Sequence, residues 1–191
     1  DGTTDITRTY PLGPLTEDEK RFYTWTLQSH IDLAKAVWLD YCECKMIDTI
    51  AREPLWRHLI NYRCGTGHSV SFVGNVHEGP HALNSRNTTR MRPGMVVTDE
   101  PGVYETDLVG IRIENELVCV HKADNQYGTF LGFEPLMFVP IATSPILPGV
   151  LDKDEIAWLN DYHRQVFAKL APHLNDEERS WLAEKCAAIG C

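Results

Sequence analysis

Two histidines and three carboxylates carry the chemistry that this chain can be read to offer. His68 and His77 lie in a glycine-rich run, Gly65-Thr-Gly-His-Ser-Val-Ser-Phe-Val-Gly-Asn-Val-His-Glu. Taken alone, either imidazole is more often a satisfied core or surface residue than a ligand. Glu100 sits in Thr98-Asp-Glu-Pro-Gly, where Pro101 favours an extended backbone for the residue before it. Glu114 ends Ile111-Arg112-Ile113-Glu114, whose alternation puts Arg112 and Glu114 on one face of a strand and the isoleucines on the other. Asp5 adds a third carboxylate in the β-branched run Thr3-Thr-Asp-Ile-Thr-Arg-Thr. An imidazole with three carboxylates suits a hard or borderline divalent cation such as Mn²⁺, Co²⁺ or Zn²⁺. The alternative is a set of solvated acids at strand ends. Cys42-x-Cys44 has no second such pair or nearby His pair, and reads as two ordinary thiols.

These side chains need elements to hold them. Thr16-x-x-Glu19 is a capping box, followed by Phe22, Trp25, Leu27, Ile31, Leu33, Ala34 and Val37 at helical spacing, which predicts a helix over about 17–38. Met46, Ile47, Ile50, Ala51 and Leu55 predict a second helix that ends or bends near Pro54. Short Val/Ile/Phe runs at 70–76, 95–98, 109–120 and 129–139, punctuated by Gly and Pro, predict strands. Asp152-x-x-Glu155 and Asn175-x-x-Glu178 are cap patterns, and Ile156, Leu159, Val166 and Leu170 form one stripe. Helices, then strands, then helices give an α+β domain over 1–141, with a C-terminal helical extension over 142–191.

The 191 residues are 43% apolar, enough to fill one core or two small ones. Eighteen Lys and Arg against twenty-seven Asp and Glu leave a formal charge of -9, which argues against nucleic acid or an anionic membrane as partner. The most apolar stretch, 136–151, is short and broken by Pro140, Pro145 and Pro148, so no transmembrane helix is expected. The N-terminus lacks the pattern of a signal peptide, and six irregularly spaced Cys do not form a disulfide framework, so reduced thiols in the cytoplasm are expected.

The series GTTDITRT, GTGH, NVHEGP, PGMVVTDEPGVYE, VGIRIEN and FLGFEPL resembles the catalytic domain of the Xaa-Pro aminopeptidases (aminopeptidase P), metallopeptidases of the pita-bread fold. The resemblance runs from residue 1 to about 189 and includes the tail LDKDEIAWLNDYHRQV. FLGFEPL and the tail look like the long, cytosolic type; prolidases and methionine aminopeptidases share the metal-ligand plan. The resemblance implies a curved antiparallel sheet with flanking helices and two metal ions. Asp5 and Glu114 are the implied bridging carboxylates, and His68 and Glu100 complete one site. Glu100 is implied to accept and return a proton, and His77 to contact the substrate near the scissile bond. Arg112 either orients a carboxylate or makes a structural ion pair. A divalent metal is the expected cofactor, Mn²⁺ before Zn²⁺ or Co²⁺.

The match has departures. The family's first metal-binding Asp falls before residue 1, Asp1 matching only a neighbour of it, so the chain reads as an N-terminally truncated, C-terminal catalytic fragment. Cys64 replaces a histidine that lines the substrate site, and a thiol is a poor donor without positive charge. Ser69 and Ser71 stand where the family has glycine. The function expected is release of an N-terminal residue that precedes proline, from a cytoplasmic homodimer associating through the 156–170 stripe. The alternatives are a catalytically inactive pita-bread module used for binding or dimerisation, and a prolidase-like dipeptidase.

Overall fold

The computed structural model describes residues 3–190. Thr16 caps helix α1 (Glu17–Ala34) through the capping box with Glu19, and three acidic residues in the first turn complement the helix dipole. The helix stops at Ala34, short of the expected 38, because Val37–Leu39 leave it to form strand β1 against Phe130–Gly132. Helix α2 (Cys44–Trp56) ends two residues after Pro54, near the expected point, and holds that proline in its last turn, where only one intrahelical bond is lost.

All named strand pairs are antiparallel. The main sheet has the order β1-β8-β7-β4, with β4 at Val96–Asp99, β7 at Asn115–Asn125 and β8 at Gly128–Pro135. A register shift between His121 and Ala123 bulges the β7/β8 hairpin and adds to its curl. Two small ribbons complete the sheet structure: β2 (Gly67–His68) with β3 (Ala82–Leu83), and β5 (Gly102–Glu105) with β6 (Val109–Arg112). The expected strand at 109–120 is thus two strands. That at 70–76 is not a strand: Phe72, Val73 and Val76 are exposed and the segment is loop, so its apolar character does not report a ladder.

Two apolar clusters share α1. Leu33 and Ala34 pack with Ile47 and Ala51 of α2 and with Val97, Leu117 and Leu131 of the sheet. The preceding turns present Tyr23, Leu27 and Ile31 to helix α3 (Lys153–Leu170). Ile156, Leu159 and Val166 are buried in that contact, so the stripe expected to dimerise is covered from within the chain, with Leu170 packed at its edge. A short 3-10 turn (Ala171–His173) leads to α4 (Asp176–Lys185), and both C-terminal helices carry the expected capping boxes. Among the described residues no helix is long and apolar enough to cross a membrane.

Candidate metal centre

The side chains singled out converge on one face of the molecule. Asp5 reaches it from an extended N-terminal segment, which Thr7 pins by an antiparallel bridge to Glu114. His68 comes from β2, Glu100 from the residue after β4, and Glu114 from the link between β6 and β7. His68 Nε2 lies 3.1 Å from Glu100 Oε1 and 3.5 Å from Asp5 Oδ2. Arg112 Nη1 lies 3.4 Å from Glu100 Oε2. The expected alternation holds, since Ile111 and Ile113 are buried in the core while Arg112 and Glu114 address the carboxylates.

Electrostatics make the cluster unequal. Burial pushes the Glu100 pKa up, but hydrogen bonds from His68 and Thr98 and the charge of Arg112 outweigh it and hold it below the ordinary carboxylate value. Burial lowers the His68 pKa, and its bonds to Glu100 and to the Ser69 carbonyl more than reverse that. Glu114 is the strained member. Burial, with Glu100 and Asp5 as neighbouring anions, overcomes the hydrogen bond from Thr7 and pushes its pKa up to about 7.

Among the described residues no group of three or more His, Cys, Asp or Glu side chains is arranged, as they stand, to hold a metal ion. The donor set nevertheless fits a divalent cation. Two atoms each about 2.1 Å from one ion are roughly 3.0 to 3.4 Å apart at octahedral or tetrahedral angles, close to the two His68 distances. Glu114 Oε1 is buried without a hydrogen-bond partner, a cost of about 1 to 3 kcal/mol that ligation removes. Three carboxylates and one imidazole are the ligands of a hard to borderline ion, and thiols take no part.

The remaining expected residues fall around this cluster. The His77 ring centroid is 3.9 Å from that of His68, on the exposed loop after β2. Cys64 Sγ donates to Gly102 O at 3.7 Å, and burial raises its pKa against the pull of Arg112, so it is a neutral neighbour. Ser71 is absorbed locally, its hydroxyl donating to Val73 O. Three residues that sequence reasoning passed over hold the cluster. Thr98 Oγ1 donates to Glu100 Oε1 at 2.9 Å and accepts the His68 amide at 3.0 Å. Thr7 donates to Glu114, and Glu116 accepts the Asp5 amide at 2.8 Å. Each lies two positions from a carboxylate on an extended segment, so the same-face rule used for Arg112 was their signal.

Comparison with known proteins follows the same outline. Residues 1–121 match the metallopeptidase family M24, and 129–189 match the C-terminal region of peptidase M24. Aminopeptidase P1 of Lotus japonicus is 41% identical over all of this chain, which spans 30% of that protein. A probable Xaa-Pro aminopeptidase P of Laccaria bicolor is 40% identical over 99% of the chain and 31% of its own length. The crystal structure of X-prolyl aminopeptidase from Caenorhabditis elegans, a cytosolic enzyme with a di-nuclear active site, superposes with a TM-score of 0.92 at 38% identity. That match covers 99% of this chain and 32% of the other. Prolidase from Pyrococcus furiosus gives a TM-score of 0.60 at 28% identity, over 71% of this chain and 37% of that one. The chain therefore spans about a third of the length of the relatives it matches.

Proposed function

We propose, from the premise that the chain belongs to metallopeptidase family M24 and has its α+β pita-bread fold, that it is the catalytic portion of a peptidase releasing an N-terminal residue that precedes proline. The observation that carries this reading is the placement of His68 Nε2 between Glu100 and Asp5, beside the unpartnered buried oxygen of Glu114. Asp5, His68, Glu100 and Glu114 are the residues that would hold divalent metal, with Mn²⁺ preferred over Zn²⁺ or Co²⁺. Bound there, divalent metal supplies Lewis acidity toward a peptide carbonyl and makes water nucleophilic near neutral pH.

The chain's own residues do the rest. Glu100 stays ionised at neutral pH because His68, Thr98 and Arg112 face it, which leaves a carboxylate oxygen able to take a proton from water and return it to the leaving amine. Arg112 fixes that carboxylate's orientation, and its guanidinium lies 5.7 Å over the Tyr104 ring. His77, exposed beside His68, would hydrogen-bond the reacting amide, a role that its closeness to His68 supports. Buried Thr98 and half-buried Thr7 hold Glu100 and Glu114 without a rearrangement during reaction.

A non-catalytic binding module is the second reading, carried by Cys64, whose half-buried neutral thiol supplies neither the charge nor the donor strength of the family's histidine. Calorimetric titration with Mn²⁺ and hydrolysis of paired Xaa-Pro and Xaa-Ala peptides decide between them. Micromolar or tighter Mn²⁺ binding, weakened at least about tenfold in His68→Ala and Glu100→Ala, supports the centre. Cleavage by the full-length polypeptide confined to the Xaa-Pro peptide supports the activity. Absence of both favours the module. Residence in the cytosol, and association of two copies through a surface other than the covered stripe, complete the proposal. Cell fractionation tests the first and light scattering the second.

A further inference from the structure

A second polar system lies behind the metal-facing side chains, and the mechanism above does not use it. Asp99 and Asn115 are register partners across β4 and β7, and each is the chain neighbour of a candidate ligand, Glu100 and Glu114. Their side chains alternate to the opposite face, where both are fully buried. His30 of α1 spans them, with Nδ1 3.0 Å from Asp99 Oδ2 and Nε2 3.4 Å from Asn115 Nδ2. The Asp99 contact is a close polar approach without hydrogen-bond alignment, since neither carboxylate oxygen has an aligned donor. Asn115 Oδ1 in turn accepts from Arg8 Nη2 at 2.8 Å and from the Tyr162 hydroxyl at 3.3 Å.

Arg8 joins this chain to the front. Its Nη1 donates to Glu114 O at 2.6 Å and to Thr7 O at 2.9 Å, the two residues whose bridge holds the Asp5 segment on the sheet. Its Nη2 also donates to Tyr162 Oη at 2.8 Å. Tyr162 belongs to α3 and is held flat against Trp158, ring centroids 5.4 Å apart, while Trp158 and His30 meet nearly perpendicular, edge to face. Every segment that carries a candidate carboxylate ligand therefore adjoins one largely buried set of side chains, with Arg8 half-buried at its front and Tyr162 contributed by the C-terminal region.

We propose that Tyr162, Arg8, Asn115, His30 and Asp99 are positioning residues that set the spacing of Asp5, Glu100 and Glu114, so that helix α3 is a working part of the metal centre. The physical reason is that a guanidinium fork satisfied by carbonyls and an amide at fixed angles resists sliding of one segment past another, which apolar packing alone does not. The proposal rests on the metal reading of the site for its consequence, and on geometry alone for the coupling.

The test uses two variants of the whole chain. Tyr162→Phe removes the hydroxyl and keeps the ring stack; Val166→Ala loosens the same apolar cluster without touching the polar chain. Amide hydrogen exchange by NMR, without metal, reads the Glu114 amide, which donates to Thr7 O at 3.0 Å, against amides of β8 that report general loosening. Tyr162→Phe is expected to speed Glu114 exchange about fivefold relative to β8, the equivalent of one net hydrogen bond, and Val166→Ala is not. Mn²⁺ titration then reads the consequence, with an affinity loss of roughly tenfold expected for Tyr162→Phe alone. Glu114 exchange that tracks β8 in both variants overturns the coupling, and an equal loss of Mn²⁺ affinity in both shows α3 to be packing only. Wild-type protein that binds no Mn²⁺ removes the metal reading, while the exchange measurement still decides the positioning.

Discussion

Thr98 is the residue on which the geometry of the centre most depends without being a ligand itself. Its hydroxyl donates to Glu100 and accepts from the His68 amide, so one side chain fixes two candidate ligands. Thr98→Val keeps shape and volume and removes both bonds. The expected outcome is a Mn²⁺ affinity about tenfold weaker with a stability loss of only about 1 to 2 kcal/mol, read by titration calorimetry and urea unfolding. An unchanged affinity would show that Glu100 is held by His68 and Arg112 alone. Cys44 and Cys119 make the opposite case: burial pushes each thiol up to about 11, so neither competes for metal, and both should resist iodoacetamide at pH 8 until the chain is unfolded.

At the scale of the element, the close approach of β2 to β4 decides whether His68 reaches the carboxylates. Gly67 allows it. A Cβ built there would stand 1.7 Å from Thr98 O, a backbone atom that cannot rotate away. Gly67→Ala must therefore push the ribbon off the sheet, at a cost of about 3 kcal/mol or more in urea unfolding. A loss below about 1 kcal/mol would mean that β2 can shift freely and that its position is not fixed by the sheet. The loop after β2 differs in kind: Phe72, Val73 and Val76 are solvent-facing, so substitutions there leave stability nearly unchanged while bearing on whatever meets the exposed face of His77.

At the scale of the whole molecule, α1 joins two cores, and α3 covers the second of them. Residues on both sides of the boundary expected near 141 bury side chains in a common cluster, so we propose that the two parts fold together. His163 makes this testable through pH. It is fully buried on α3, accepts the Ile141 amide at Nε2, and burial lowers its pKa from 6.5 to about 4. The unfolded chain binds its proton below about pH 6.5 and the folded chain only near pH 4, so stability is lost as pH falls through that window. Between pH 7 and pH 5 this one residue accounts for about 2 kcal/mol. His163→Gln, whose amide oxygen can still accept from Ile141, should lose about that much less over the same interval, measured by urea unfolding at both pH values. Equal slopes in the two proteins would show that His163 titrates normally in the fold.

Local sequence determined what local physics governs. The capping boxes at Thr16, Asp152 and Asn175 start their helices where the pattern places them, because the first-turn amides need acceptors within three residues. The alternation at 111–114 sorts core from site for the same reason, the strand period being fixed by the backbone. Residue types led to the proposed cation-binding donor set, and motif order identified the family. What only the tertiary structure decided are the contacts between distant segments. Thr7 meets Glu114 across 107 residues, Asp5 meets Glu116 across 111, and His30 meets Asn115 across 85. No local propensity encodes such pairs, since they arise when several elements are packed at once. The same packing ended α1 at Ala34 in favour of a strand, left 70–76 as loop, and covered the 156–166 stripe, because burial against a neighbour outweighs the small preferences of a single segment.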